Sequence, residues 1–137
     1  MRTALDTNVI SAIWSAESTA QRAIERLEMA RLDGALLISP AVFAELLAYP
    51  GASESFVAEF LSVTGISVDF RLEPSVWSET GRRFARYAQR RRQSVNKGPR
   101  RLVADFLIGA HALLQADRLF TLDPTVYSQD FPEMVLY

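Results

Sequence analysis

Apolar residues fall into short continuous runs and longer periodic stretches that alternate along the chain. Arg2–Leu5 reads as a short strand and Asn8–Ala16 as a helix. Ser18–Ala30 predicts a second helix, opened by Ser18 and Gln21 as a capping box and stopped by Asp33-Gly34. Ala35–Ser39 is a continuous apolar run, as in a strand buried on both faces. Ser39-Pro40 supplies an N-cap and a first-turn proline for a helix that reaches Tyr49 and ends at Pro50-Gly51. Ser53–Val63 predicts a helix and Ile66–Phe70 a strand, and Pro74 opens a long helix that runs to Arg92. Gln93–Pro99 reads as a loop. Leu102–Ala116 predicts a helix that is apolar almost all round, hence central. Leu119–Leu122 and Met134–Tyr137 read as the last strands. This alternation predicts one α/β domain over residues 1–137, an α/β/α sandwich on a central parallel sheet of about five strands. Ligands of such sheets bind beyond the carboxyl ends of the strands.

Four acids stand out against these elements. Asp6 and Asp123 each follow a predicted strand directly, so each sits at a strand's carboxyl end. Glu45 and Asp105 interrupt apolar helices. At about 100° per residue, Glu45 borders the buried arc of its helix, and Asp105 lies about 60° from Leu102 at the edge of a Leu102–Phe106–Gly109–Leu113 stripe. Gly109 and Ala112 leave room beside it. Three of the acids also have a plainer reading, Asp6 as a helix N-cap, Asp123 before Pro124 as a turn and Glu45 as a rim residue, whereas Asp105 inside an apolar helix is the hardest to dismiss. Gathering carboxylates is costly, since two at 4 Å repel by about 4 kcal/mol at an effective dielectric near 20. No run of Lys or Arg adjoins them, so a bound divalent cation is the simplest compensation.

Composition narrows that cation. The 137 residues include no Cys and one His, His111, which rules out disulfides, a cysteine nucleophile, and zinc sites built on Cys or on two or more His of one chain. Oxygen ligands select Mg²⁺ or Mn²⁺, which also bridge phosphate oxygens. The net charge of −1 says little about partners, but its distribution says more. Arg82–Arg101 holds nine of the 15 basic residues and no acid. Arg82, Arg83, Arg86 and Arg90 share one arc of a helix whose opposite arc (Val76, Trp77, Thr80, Phe84, Tyr87, Ala88) packs inward, and the following loop adds Lys97, Arg100 and Arg101. One sign of charge, supplied almost wholly by arginine, points to phosphate or an acidic partner. His111 reads as structural, and Trp14 and Tyr49 as core or dimer surface. No apolar run is long enough for a membrane span and no signal core is present, so a cytoplasmic location is expected.

Four segments resemble, in order, those of PIN-domain nucleases: Leu5-Asp6-Thr7-Asn8-Val9, Ser39-Pro40-Ala41-Val42-Phe43-Ala44-Glu45-Leu46, Asp105-Phe106-Leu107-Ile108-Gly109-Ala110-His111-Ala112 and Leu119-Phe120-Thr121-Leu122-Asp123. The resemblance spans nearly the whole chain, and its size suggests the stand-alone VapC-type toxins of bacterial toxin–antitoxin pairs. It implies Mg²⁺- or Mn²⁺-dependent cleavage of single-stranded RNA. It implies Asp6, Glu45, Asp105 and Asp123 as the acidic cluster, with Asp6 and Asp105 as the direct metal ligands and Asn8 and Thr121 in support. It further implies a homodimer and a cognate antitoxin. The fourth segment departs from the family pattern at Leu122, which leaves Asp117 and Asp130 as the other acids nearby. Two other functions remain: a non-catalytic RNA- or partner-binding module, and a haloacid-dehalogenase-like phosphatase. The phosphatase wants a second Asp two residues after Asp6, where Asn8 stands, and a lysine for which only Lys97 is available.

Overall fold

The computed structural model describes residues 1–137. Its elements in chain order are β1 (Arg2–Leu5), α1 (Thr7–Trp14), α2 (Ala20–Asp33), β2 (Ala35–Ile38), α3 (Pro40–Leu47), α4 (Glu54–Thr64), β3 (Ile66–Val68), α5 (Pro74–Gln93), α6 (Val103–Gln115), β4 (Arg118–Phe120) and α7 (Pro124–Asp130). The four strands pair in parallel in the order β3-β2-β1-β4. Register sets Thr3 opposite Leu36 on one side and opposite Arg118 on the other. From β1 the chain steps outward to β2 and β3, then returns through α5 and α6 to place β4 on the far side of β1. The right-handedness of parallel crossovers puts the helices of the outward steps on one face and α5 and α6 on the other. The reversal between β1 and β4 opens a crevice at the carboxyl ends of those two strands.

Local signals explain most boundaries. Ser39 caps α3, its hydroxyl accepting from Val42 N–H at 3.3 Å, with Pro40 in the first turn. Ser53 caps α4 in the same way through Phe56 N–H, and Gly65 ends it in the left-handed conformation at φ 71°. Gly34 closes α2 against the first residue of the chain: a Cβ there would overlap the Met1 carbonyl, which accepts from Ala35 N–H at 2.9 Å. No helix is long and apolar enough to cross a membrane.

Three expectations need correction. The sheet has four strands rather than five, because Met134–Tyr137 contributes only a parallel bridge between Leu136 and Leu119. β4 is three residues long and offers its outer edge at Leu119 alone, whose N–H donates to Val135 and whose carbonyl accepts from Tyr137. The Ser18–Gln21 capping box does not form: α2 starts at Ala20, Thr19 makes no side-chain cap, and Gln21 donates to Glu25 one turn on. Trp77, placed on the inward arc of α5, is 55% exposed.

α6 is central as its composition requires, with every residue from Phe106 to Ala112 buried. The room beside Gly109 is filled: a Cβ there would run into the Phe131 ring, which follows α7. This close approach explains a glycine inside a helix, where alanine is otherwise favoured by about 1 kcal/mol. Gly109→Ala is therefore expected to lower stability by about 1–3 kcal/mol, the usual range for overpacking. Urea unfolding checks this, and the loss should shrink when Phe131 is also replaced by Leu.

Candidate active site

Asp6 lies in the β1/β4 crevice. Its backbone N–H extends the ladder to the Phe120 carbonyl at 2.9 Å, so the next side chain leaves the sheet at its carboxyl edge. Oδ1 accepts from Thr7 N–H at 2.8 Å and so N-caps α1. Oδ2 accepts from two hydroxyls, Thr121 at 2.9 Å and Tyr127 at 2.8 Å. The cap and a ligand role are compatible, because a carboxylate offers about four lone-pair directions and three are used here. Asp6 is only 8% exposed. Burial pushes its carboxyl above the ordinary aspartate range, the Tyr127, Thr121 and Thr7 bonds pull it back, and the charge of Asp105 raises it further.

Glu45 projects from α3, which starts at the carboxyl end of β2. Its Oε1 accepts from the Thr7 hydroxyl at 2.7 Å, so Thr7 ties Asp6 to Glu45 through two different groups. Glu45 stands at the mouth, largely open to solvent. Its pKa is also raised, first by partial desolvation and then by the charges of Asp6 and Asp105, against the Thr7 hydrogen bond. Asp105 sits half-buried in the first turn of α6, and its Oδ2 accepts from Leu102 N–H at 2.9 Å to close that helix start. Asp6, Glu45 and Asp105 thus share one field. None of them has an ion-pair partner: every salt bridge of the molecule lies elsewhere.

This donor set fits a hard divalent cation: it is all oxygen, anionic, partly desolvated and uncompensated. No three His, Asp or Glu side chains converge to hold an ion by themselves. Mg²⁺ does not need that, since it is commonly held through one or two carboxylates and keeps several waters. Asp6 and Asp105 are the residues that would hold it.

Thr121 and Asn8 brace the floor. Thr121 Oγ1 donates to Asp6 and accepts from Asn8 Nδ2 at 3.2 Å and Asp123 N–H at 3.1 Å, while Asn8 Oδ1 accepts from Leu122 N–H at 3.1 Å. Asp123 is not drawn into the shared field. It is exposed, and its Oδ1 accepts from the Thr125 hydroxyl at 2.8 Å. Asp117 bonds Arg2 at the opposite edge of the sheet, and Asp130 pairs with Arg90 at 2.7 Å. Tyr127 was not singled out in the sequence. A tyrosine six residues beyond Thr121 carries no motif, and only the fold brings its hydroxyl to Asp6.

The arginines divide into two groups. Arg83, expected on the basic face, is buried instead: it pairs with Glu79 at 2.6 Å, also pairs with Glu133, donates to the Asp130 carbonyl at 2.8 Å, and lies 4.6 Å from the Phe131 ring centroid. Arg82 is paired to Glu79 and Arg90 to Asp130. Arg86, Lys97, Arg100 and Arg101 pair with no acid, although Arg101 N–H donates to the Tyr87 hydroxyl. Arg91 braces the loop by donating to the carbonyls of Lys97, Gly98 and Pro99. His111 is buried against Asp69 at 3.0 Å, and burial pulls its pKa below the ordinary histidine value. Gln115 completes this bracket by bonding Asp69 and the Arg71 carbonyl. Trp14 and Tyr49 meet edge to face with Phe56 and Phe60 nearby, away from the acids.

Residues 3–132 match the family model of the PIN domain. Solved structures with the same fold include the VapBC2 complex of Rickettsia felis bound to a promoter DNA fragment, with a TM-score of 0.73 and 21% identity over 100% of this chain and 98% of that one. VapBC-1 of nontypeable Haemophilus influenzae matches at a TM-score of 0.68 and 18% identity, over 100% and 97% of the two chains. No curated protein matches the chain.

Because the folded pKa of Glu45 lies above 4.5, the fold prefers its protonated form: that preference favours folding at low pH and is lost as pH rises through the folded pKa, where the carboxylate charge opposes folding. Without divalent ions, Glu45→Gln should therefore melt above wild type near neutral pH. The difference should close as pH falls to 4.5, which thermal unfolding across pH checks.

Proposed function

The chain belongs to the PIN-domain family, and we propose that it is a divalent-metal-dependent endoribonuclease that hydrolyses phosphodiester bonds of single-stranded RNA. We further propose that it acts as the VapC-type toxin of a toxin–antitoxin pair. The observation that carries the reading is the Asp6–Glu45–Asp105 group, three carboxylates that act on one another and form no salt bridge. Mg²⁺ or Mn²⁺, when bound, would lower the pKa of its water and offset charge on the phosphate oxygens.

The residues supply the rest. Asp6 and Asp105 would hold the ion, their carboxylates oriented by Thr7 N–H, the Thr121 hydroxyl and Leu102 N–H. Glu45, at the mouth and with a raised pKa, orients the attacking water or takes its proton. With no Cys in the chain and His111 engaged by Asp69, direct attack by water is the economical route, and it leaves 5′-phosphate and 3′-hydroxyl ends. Asp123 contributes only if the turn after Thr121 rearranges, since its carboxylate is held by Thr125. Arg86, Lys97, Arg100 and Arg101, which form no salt bridge, make up the phosphate-contacting surface. Arg83 belongs to the scaffold, while Arg82 and Arg90 stay exposed but are engaged by Glu79 and Asp130. The two solved relatives are VapBC complexes, which supports a protein antitoxin as partner. A homodimer and a cytoplasmic location complete the proposal.

Purified protein should cut single-stranded RNA with Mg²⁺ or Mn²⁺, lose activity in EDTA, and lose it in Asp6→Asn and Asp105→Asn. Cleavage that survives EDTA or both substitutions contradicts the mechanism. Charge reversal at Arg86 and Arg100 should weaken RNA binding and reduce the slope of log K against log salt by about 0.7 per lost phosphate contact, measured by fluorescence anisotropy. An unchanged slope would remove these residues from the RNA surface.

A further inference from the structure

We propose that Tyr127 is a positioning residue for Asp6: its hydroxyl, held in place by an arginine clamp on α7, occupies Oδ2 and leaves Oδ1 as the atom offered to the divalent ion. The proposal rests on the metal-dependent reading above and deepens it.

Tyr127 is 2% exposed, and its hydroxyl meets Asp6 Oδ2 at 2.8 Å. A buried tyrosine hydroxyl usually finds a partner, most often backbone or water. Here the acceptor is the least exposed carboxylate of the acidic group. Thr121 donates to the same oxygen at 2.9 Å from β4's side of the crevice, so Oδ2 carries two hydroxyl donors from two different elements. Oδ1 carries only the Thr7 N–H, at 2.8 Å. Two lone pairs on Oδ2 are filled and one on Oδ1 remains, so the carboxylate presents a single defined coordination direction. Hydrogen bonds that orient a ligand from behind are a recurring part of metal sites, and losing one typically weakens metal binding 10–100-fold.

α7 has only seven residues, too short to hold Tyr127 in place by itself. Its end is fixed from α5. Arg83 donates to the Asp130 carbonyl and stacks on Phe131, Arg90 pairs with the Asp130 carboxylate, and the Phe131 ring fills the space over Gly109. Two residues expected to meet RNA therefore fix the helix that carries Tyr127. Gly109 lies one turn after Asp105, so the same clamp joins α7 to the helix that bears the second metal-holding acid.

Mn²⁺ titration followed by electron paramagnetic resonance, with no RNA present, tests the assignment. Tyr127→Phe keeps the buried ring and removes one hydroxyl. It should bind Mn²⁺ about 10–100-fold more weakly than wild type. In cleavage assays it should need correspondingly more Mn²⁺ for half-maximal rate and recover at saturating Mn²⁺. Tyr137→Phe removes another hydroxyl, one that donates to the Arg26 carbonyl, and should bind Mn²⁺ like wild type. Wild-type Mn²⁺ affinity in Tyr127→Phe, or an equal loss in Tyr137→Phe, overturns the proposal. Lower affinity in Tyr127→Phe with an unchanged Tyr137→Phe supports it, whatever happens to the melting temperature. If wild type itself binds no Mn²⁺, the metal-dependent reading fails and the proposal fails with it.

Discussion

A carboxylate at the bottom of a crevice, 8% exposed and without a basic partner, is the constraint around which this molecule is arranged. Removing such a charge from water is unfavourable unless hydrogen bonds or an opposite charge offset it. Asp6 receives three hydrogen bonds and no cation, and burial still raises its pKa. Asp105 and Glu45 stand close enough to worsen the balance. Fourteen arginines and one lysine are available in the chain, yet none forms a salt bridge with this group. A buried acidic site that no salt bridge balances leaves an electrostatic deficit that a small divalent ion can fill.

Topology decides where that deficit sits. Because β4 returns to the far side of β1, the residues that follow these two strands face one another across the crevice. Asp6 follows one strand and Thr121 the other, and the Thr121 hydroxyl donates to Asp6 across the crevice at 2.9 Å, beside the bonds from Asn8 to Thr121 and from Leu122 N–H to Asn8. The helices then bring in acids from a distance: α3 carries Glu45 from the end of β2, and α6 carries Asp105 from the other face of the sheet. Cations are used elsewhere as fasteners. Arg83 is the clearest case, a buried guanidinium shared among Glu79, Glu133, the Asp130 carbonyl and the Phe131 ring.

Much of this was legible in the residue order. Apolar runs located the four strands, and Ser39-Pro40 and Ser53 marked helix starts that their side-chain caps now explain. Asp6, Glu45 and Asp105 stood out because charge in or beside an apolar run is unfavourable, and that same cost is what the fold concentrates at one place. What stayed hidden depended on contacts between distant segments. Arg83 and Arg86 lie on the same arc of α5, but only the chain beyond α7 decides that one is buried and the other free. Tyr127 meets Asp6 across 121 positions of sequence, and no local pattern announces that contact. The fifth strand shrank to a bridge because β4 offers too short an edge, a length that periodicity does not reveal. The Ser18–Gln21 pair had the right spacing for a cap, yet the turn before it delayed the helix to Ala20.

The most direct test is to see the ion. Crystals soaked in Mn²⁺ and measured at the manganese edge should show one strong anomalous peak in the β1/β4 crevice. It should lie about 2.0–2.2 Å from Asp6 Oδ1 and also contact Asp105 directly or through one water. A map with no peak in that crevice, or with its peak at acids elsewhere on the surface, would contradict the claim that this carboxylate group exists to hold a cation.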